Sequence, residues 1–98
     1  RPYLSLNDAF KAIKFCIDKN FFENDIFNVL TANHTVGQLI KKIKKYKPKL
    51  KTKLVNSKIM NQLSYHVDNS KIISKGLKLN SSIDNDIKKT LNLINNLY

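Results

Sequence analysis

One cysteine, two glycines, two prolines and no tryptophan are spread over 98 residues, and each scarcity closes off a class of protein. Cys16 alone can form no internal disulfide and no cysteine-based metal cluster, which fits a reducing or redox-neutral compartment. Gly37 and Gly76 are too few for a phosphate-cradling turn, where glycines let the backbone approach the anion. No apolar run approaches the roughly 18 to 20 residues that cross a bilayer, so no membrane partner is expected. The chain opens at Arg1 rather than Met, with no charged segment, apolar stretch and cleavage site behind it. It reads as a fragment or trimmed product, with a cytoplasmic setting. At 11.3 kDa it permits one domain and excludes a self-sufficient multidomain enzyme.

Acidic residues are also scarce: seven against eighteen basic ones, for a net charge of +11. Such a field attracts nucleic acid or anionic surfaces. Seventeen of the eighteen cations are lysine, however, and only Arg1 has the fork geometry that reads phosphate and guanine bidentately. The abundance of asparagine (13) and isoleucine (11) alongside lysine matches what A/T-rich codons supply without selection for a ligand. Nucleic acid is therefore not the favoured partner. Tyr46, set in KKIKKYKPKLKTK, is one aromatic among lysines that could stack a base, with a solvated helix face as the alternative.

The order of periodicities predicts an α/β fold in which short strands alternate with helices, the strands parallel and covered by the helices. RPYLSL reads as a strand with Arg1, Tyr3 and Ser5 on one side. Asn7 or Asp8 then caps a helix to about Asp18 that buries Ala9, Ile13, Cys16 and Ile17. Ile26 to Leu30 reads as a second strand. Thr35 caps a helix to about Tyr46 with the stripe Val36, Leu39, Ile40 and Ile43. Pro48 stops it, and Lys51 to Val55 and Leu63 to Val67 are further strand candidates. Asp68 caps a short helix ending at Gly76, and Ser81 or Ser82 opens the last helix, with Ile83, Ile87, Leu91, Ile94 and Leu97 on its apolar face.

Catalytic constellations are absent. Four of the seven carboxylates (Asp8, Asp68, Asp84, Asp86) have a capping or dipole explanation, and no acid/base pair stands out. His34 and His66 lie 32 residues apart without metal-ligand spacing, so no metal site is expected and both read as surface or partly buried imidazoles. Cys16 and Ser64 lack an elbow motif, and hydrolysis is discounted.

Four segments nonetheless form a pattern: RPYLSLNDAFKAI, IFNVLTANHTV, SYHVDNSKIISKGL and SSIDNDIKKTLNLI. Together they resemble the carboxy-terminal part of the extended short-chain dehydrogenase/reductase family, the NAD-dependent nucleotide-sugar epimerases and dehydratases, over nearly the whole chain. The resemblance rests on Arg1, Tyr3, Leu4 and Asp8, on Asn28 and Val29, on Thr35 and Val36, and on Asp68, Lys71 and Gly76. Leu30 departs from it, standing where the family has glycine.

The resemblance implies that Arg1 grips a nucleotide diphosphate and Tyr3 lines the nucleotide pocket. The strand parity agrees, and a bidentate site would explain a lone arginine among lysines; an arginine merely exposed at a chain end is the alternative. Counting back from Asp68 puts the family's second diphosphate arginine at Lys58 and its ribose-binding aspartate at Asn61, both departures. Lys58 offers charge without the fork, and Asn61 can still bond a hydroxyl. Met60, Gln62 and Ser64 are further candidates for the pocket wall, with core or surface placement the alternative. The family's NAD loop and catalytic Tyr-x-x-x-Lys belong to an amino-terminal dinucleotide-binding domain missing from this chain, so the segment alone is not catalytic. The implied reading is a nucleotide-sugar substrate-binding segment, with an apolar surface along the first strand and helix where the missing domain would pack, and hence self-association at high concentration. The alternative is a small basic nucleic-acid-binding module using Lys41 to Lys53.

Overall fold

The computed structural model describes residues 1–20, 25–55 and 64–97, with side chains to residue 96. The order is β1 (Pro2–Tyr3), α1 (Leu6–Asp18), β2 (Ala32–Asn33), α2 (Val36–Tyr46), α3 (Ser70–Ser74) and α4 (Ile83–Leu97). This is a small mixed α/β domain of four helices and a two-stranded sheet.

The strands pair antiparallel, Pro2 opposite Asn33 and Tyr3 opposite Ala32, which corrects the expectation of parallel strands. Side chains have taken the backbone groups that a longer ladder would use. The Asp25 carboxylate accepts from Ile26 N at 2.8 Å, and Lys71 Nζ donates to Ile26 O at 3.0 Å, so the stretch expected as a strand from Ile26 to Leu30 is irregular. The Asn33 amide bonds both Val67 N (3.1 Å) and Val67 O (2.9 Å), and residues 64–67 form no strand. Residues 51–55 are exposed and likewise form none. A lone strand with no receiving edge has nothing to stabilise it.

The starts of α2 and α4 follow the expected capping residues, and those of α1 and α3 do not. Thr35 caps α2 through a reciprocal box: its Oγ1 accepts from Gln38 N at 3.1 Å, while Gln38 Oε1 accepts from Thr35 N at 2.8 Å. Ser82 Oγ accepts from Asn85 N at the head of α4, and Asp68 accepts from both the N–H and the hydroxyl of Ser70 at 2.9 Å. Gly76, at φ 111°, ends the α3 turn in the left-handed region that favours glycine. α3 begins at Ser70 after Asn69, which makes no side-chain cap, and not after Asp68; α1 begins at Leu6 after Ser5 and not after Asn7 or Asp8. Asp8 does not cap its own helix. It is fully buried and accepts from Thr31 Oγ1 at 2.7 Å and from Ser81 N at 3.3 Å, tying α1 to the residue before β2 and to the approach to α4.

That tie sets the rotation of α1 and corrects its expected buried stripe. Asp8 and Ala12 are buried, Phe15 and Cys16 lean on the core, and Ile13 and Ile17 face outward. The core is correspondingly thin: Ala12, Ile72 and Leu77 are packed together, with Phe15, Cys16, Phe27, Val29 and Leu79 around them. A second layer packs α2 on α4, joined by Lys42 to Asp84 (3.0 Å) and Lys47 to Asn95 (2.9 Å).

The accessible surface is 8391 Å², against about 5,700 Å² for a typical folded monomer of this mass. The radius of gyration is 16.5 Å, where a compact chain of this length has about 13 Å. Among the described residues several large apolar side chains are open, including Leu6, Phe10, Ile13 and Ile17 along α1. Among the described residues no helix is long and apolar enough to cross a membrane.

Candidate functional site

Two cavities flank the sheet. The first, of about 710 Å³, is lined by Arg1, His34, Thr35, Gln38, Tyr65 and His66, among others. Backbone pairing holds its two sides together: the amino group of Arg1 donates to His34 O at 2.9 Å, and His34 N donates to Arg1 O at 3.0 Å. The third side, residues 64–67, is held by side-chain amides. Asn33 clips Val67 at both backbone atoms, and Asn69 Nδ2 donates to Leu30 O at 3.1 Å, so Ser64, Tyr65 and His66 stand across from Arg1.

The electrostatics of this cavity have one sign. Arg1 supplies a fixed positive charge, and the amino end of α2 adds the positive end of its dipole, with no acidic residue in its first turn. Among the described residues no carboxylate lines it. Ser64, Tyr65 and the two imidazoles add hydrogen-bonding groups. The arrangement suits an anionic ligand with polar edges. Asp84, Asp25 and Asp68 lie elsewhere and are engaged, whereas Asp86 lines the other cavity with its buried Oδ2 unpartnered. Asp84 is held below the ordinary carboxylate range, chiefly by its hydrogen bond from Lys42, with the Lys42, Lys45 and His34 charges adding to it. Asp25 is lowered mainly by Lys71, and Asp68 by the two bonds from Ser70.

The second cavity, a groove of about 670 Å³, lies between the start of α1 and the α2/α4 layer. Leu6, Leu39, Ile43, Ile83 and Ile87 make it apolar, and Tyr3 lines it too.

The structure thus separates two residues expected to share one pocket: Arg1 belongs to the polar cavity and Tyr3 to the apolar groove. The strand is only two residues long, so the same-side alternation of an extended ladder does not govern Arg1. Lys58 and Asn61 lie outside the described residues, as do Met60 and Gln62. Ser64 is exposed and lines the polar cavity. His34, Gln38, Tyr65 and His66 were not singled out for this site by spacing. The available signal was Asn33, an amide following a turn, which brings residues 34 positions apart into one wall.

Of the lysine run, Lys42 is spent on Asp84 and Lys47 on Asn95, while Lys45 lies 5.5 Å from the Tyr46 ring centroid. Cys16 packs against the core. Comparisons with protein-family models, with curated proteins and with solved structures found no match for this chain.

Proposed function

We propose that this chain is the nucleotide-sugar-binding segment of an NAD-dependent sugar-nucleotide epimerase or dehydratase, a cytoplasmic enzyme of the extended short-chain dehydrogenase/reductase type. In this reading the polar cavity takes the nucleotide diphosphate. The observation that carries it is the joining of Arg1, the amino end of α2 and two imidazoles around about 710 Å³, within the roughly 300–1,000 Å³ usual for ligand pockets. A guanidinium fork matches two phosphate oxygens, and helix N–H groups favour the same charge. Lys58 and Asn61 would complete the diphosphate and ribose contacts on the strength of the sequence resemblance.

The chain's part in the reaction is binding and orientation. Holding the diphosphate at a distance from the reacting sugar lets remote binding energy position the sugar. NAD belongs to the amino-terminal dinucleotide-binding domain of the parent and supplies the redox chemistry there. No residue here is assigned to it: Gly37 lies within α2 and Gly76 ends α3 against Phe15, so neither forms a pyrophosphate-cradling loop. The segment alone is not catalytic.

The test is titration of the chain with UDP, dTDP, GDP and CDP, followed by calorimetry and amide chemical shifts. Binding should move the amides of His34, Thr35 and His66, and Arg1→Ala should weaken it at least about tenfold, with Arg1→Lys in between because it keeps charge without the fork. A folded chain that binds none of the four sinks the reading. Duplex DNA is the control: affinity that ignores Arg1→Ala and falls with salt at a log-log slope of about −0.9 per phosphate contacted would favour the basic nucleic-acid-binding module instead.

A further inference from the structure

One carboxylate is out of place on α4. Ile83, Asp86, Ile87 and Thr90 follow the i, i+3, i+4, i+7 spacing of a single helix face, and all four line the apolar groove of about 670 Å³. Hydropathy would put an apolar side chain at position 86. The described Asp8, Asp18, Asp25, Asp68 and Asp84 each accept a hydrogen bond from another side chain. The Oδ2 of Asp86 is buried and accepts none. A buried carboxylate oxygen without a donor is costly, so its place on the groove wall calls for a donor from outside the chain. Lys89 lines the groove as well, but it is exposed and forms no ion pair with Asp86 among the described residues.

The walls define what would carry that donor. Leu39 and Ile43 from α2, Ile83 and Ile87 from α4 and Leu6 at the start of α1 line the groove, so it receives an apolar body, and its volume is within the roughly 300–1,000 Å³ usual for ligand pockets. Phe10, Ile13 and Ile17, on the outer face of α1, are not among its walls. On an apolar body an ammonium answers a carboxylate best, with three N–H donors and the opposite charge. The last torsion of an aspartate turns broadly, and the Asp86 side chain is partly exposed, so it can present an oxygen to the groove. The net charge of +11 repels a cation at long range, but that field is screened beyond about 8 Å at physiological salt, whereas the carboxylate acts at contact. We propose that this groove binds a small amine with an apolar body, its ammonium donating to the Asp86 carboxylate. This is independent of what the polar cavity binds.

Titration of the whole chain with n-hexylamine, n-hexanol and n-hexanoate, read by amide chemical shifts at constant pH and ionic strength, tests it. Hexylamine should move the amides of Leu39, Asp86 and Ile87 and bind at least about tenfold more tightly than hexanol, with hexanoate the weakest. Asp86→Asn should remove the preference for the amine and leave hexanol within about twofold of its affinity for the parent. Asp86→Leu, read without ligand, should raise the melting temperature by about 4 °C or more, because the apolar face loses its unpaired oxygen. Equal binding of amine and alcohol, a preference that survives Asp86→Asn, or shifts confined to the polar cavity overturns the proposal. An Asp86→Leu chain less stable than the parent overturns it too, since Oδ2 would then have its donor within the chain. Failure of all three probes to bind the folded chain does the same and assigns the groove to contact with a protein surface.

Discussion

The inner and outer faces of α1 differ in a way that hydropathy alone would reverse. The inner face holds a carboxylate, Asp8, with no exposed surface, together with the small Ala12; the outer face carries Leu6, Phe10, Ile13 and Ile17 in the open. Burying each of those larger side chains would be worth about 1.5–3 kcal/mol by transfer alone. Directional bonds decide the matter. Turning the helix to bury Ile13 would take Asp8 away from Thr31 and Ser81. Polar geometry sets the rotation of this helix, and its apolar stripe is left for another body to cover.

The largest effect that could break this comparison comes from truncating isoleucine on either side of it. Ile72, 1% exposed, packs with Ala12 beneath the inner face, and Ile72→Ala should cost about 2–5 kcal/mol through lost transfer energy and the cavity left behind. Ile13→Ala, on the outer face, should stay within about 0.5 kcal/mol at concentrations where the chain is monomeric. Urea unfolding at low micromolar concentration, read at unchanged slope, compares the two. Equal losses would mean that the outer face is covered within the monomer.

Next in size is Asp8 itself. Asp8→Ala leaves the Thr31 hydroxyl and the Ser81 N–H without their acceptor, at about 1–3 kcal/mol for each group left buried and unpaired. Asp8→Asn keeps one carbonyl oxygen and should fall between Asp8→Ala and the parent. Unfolding midpoints that order Asp8→Ala, Asp8→Asn and parent from lowest to highest would sharpen the argument. An Asp8→Ala chain as stable as the parent would mean that the helix rotation is set elsewhere.

How far the sequence discloses this arrangement depends on whether the responsible contact is local. Thr35 and Gln38 sit three residues apart, so the start of α2 was legible, as were the left-handed stop at Gly76 and the serine that opens α4. Asp8 reads as a helix-dipole residue because its neighbours in sequence say so; its real partners lie 23 and 73 residues away. The same holds for the polar cavity. Arg1 stood out as the lone arginine, but His34 and Tyr65 join it only through strand pairing and the Asn33 clip. The strands from Ile26 to Leu30 and near Val67 were misread for a related reason. Their side-chain pattern suits a ladder, while Asp25, Lys71 and Asn33 occupy the backbone groups that a ladder needs.

The smallest expected effect sets the α2/α4 layer against α1, since the first is joined by an ion pair near the surface and the second by a buried carboxylate. Asp84 titrates below the ordinary carboxylate value in the folded chain because Lys42 donates to it, as Asp25 does beside Lys71 and Asp68 beside Ser70. Each folded pKa is depressed, so the native state holds fewer protons than the unfolded one in that range. The stabilisation is present above the unfolded value near about 4 and is lost as pH falls through the lower folded value. Melting temperatures from neutral pH downward should therefore drop below about pH 4, and Asp84→Asn should flatten that drop slightly, in keeping with the modest worth of exposed pairs. Added salt separates the causes. It should shrink the contributions of Asp84 and Asp25, whose partners are charged, and leave that of Asp68, whose partner is a neutral serine. An Asp84→Asn profile that matches the parent at every pH would show that Lys42 does not join the two helices in solution, leaving apolar contact and the Lys47–Asn95 bond to hold that layer.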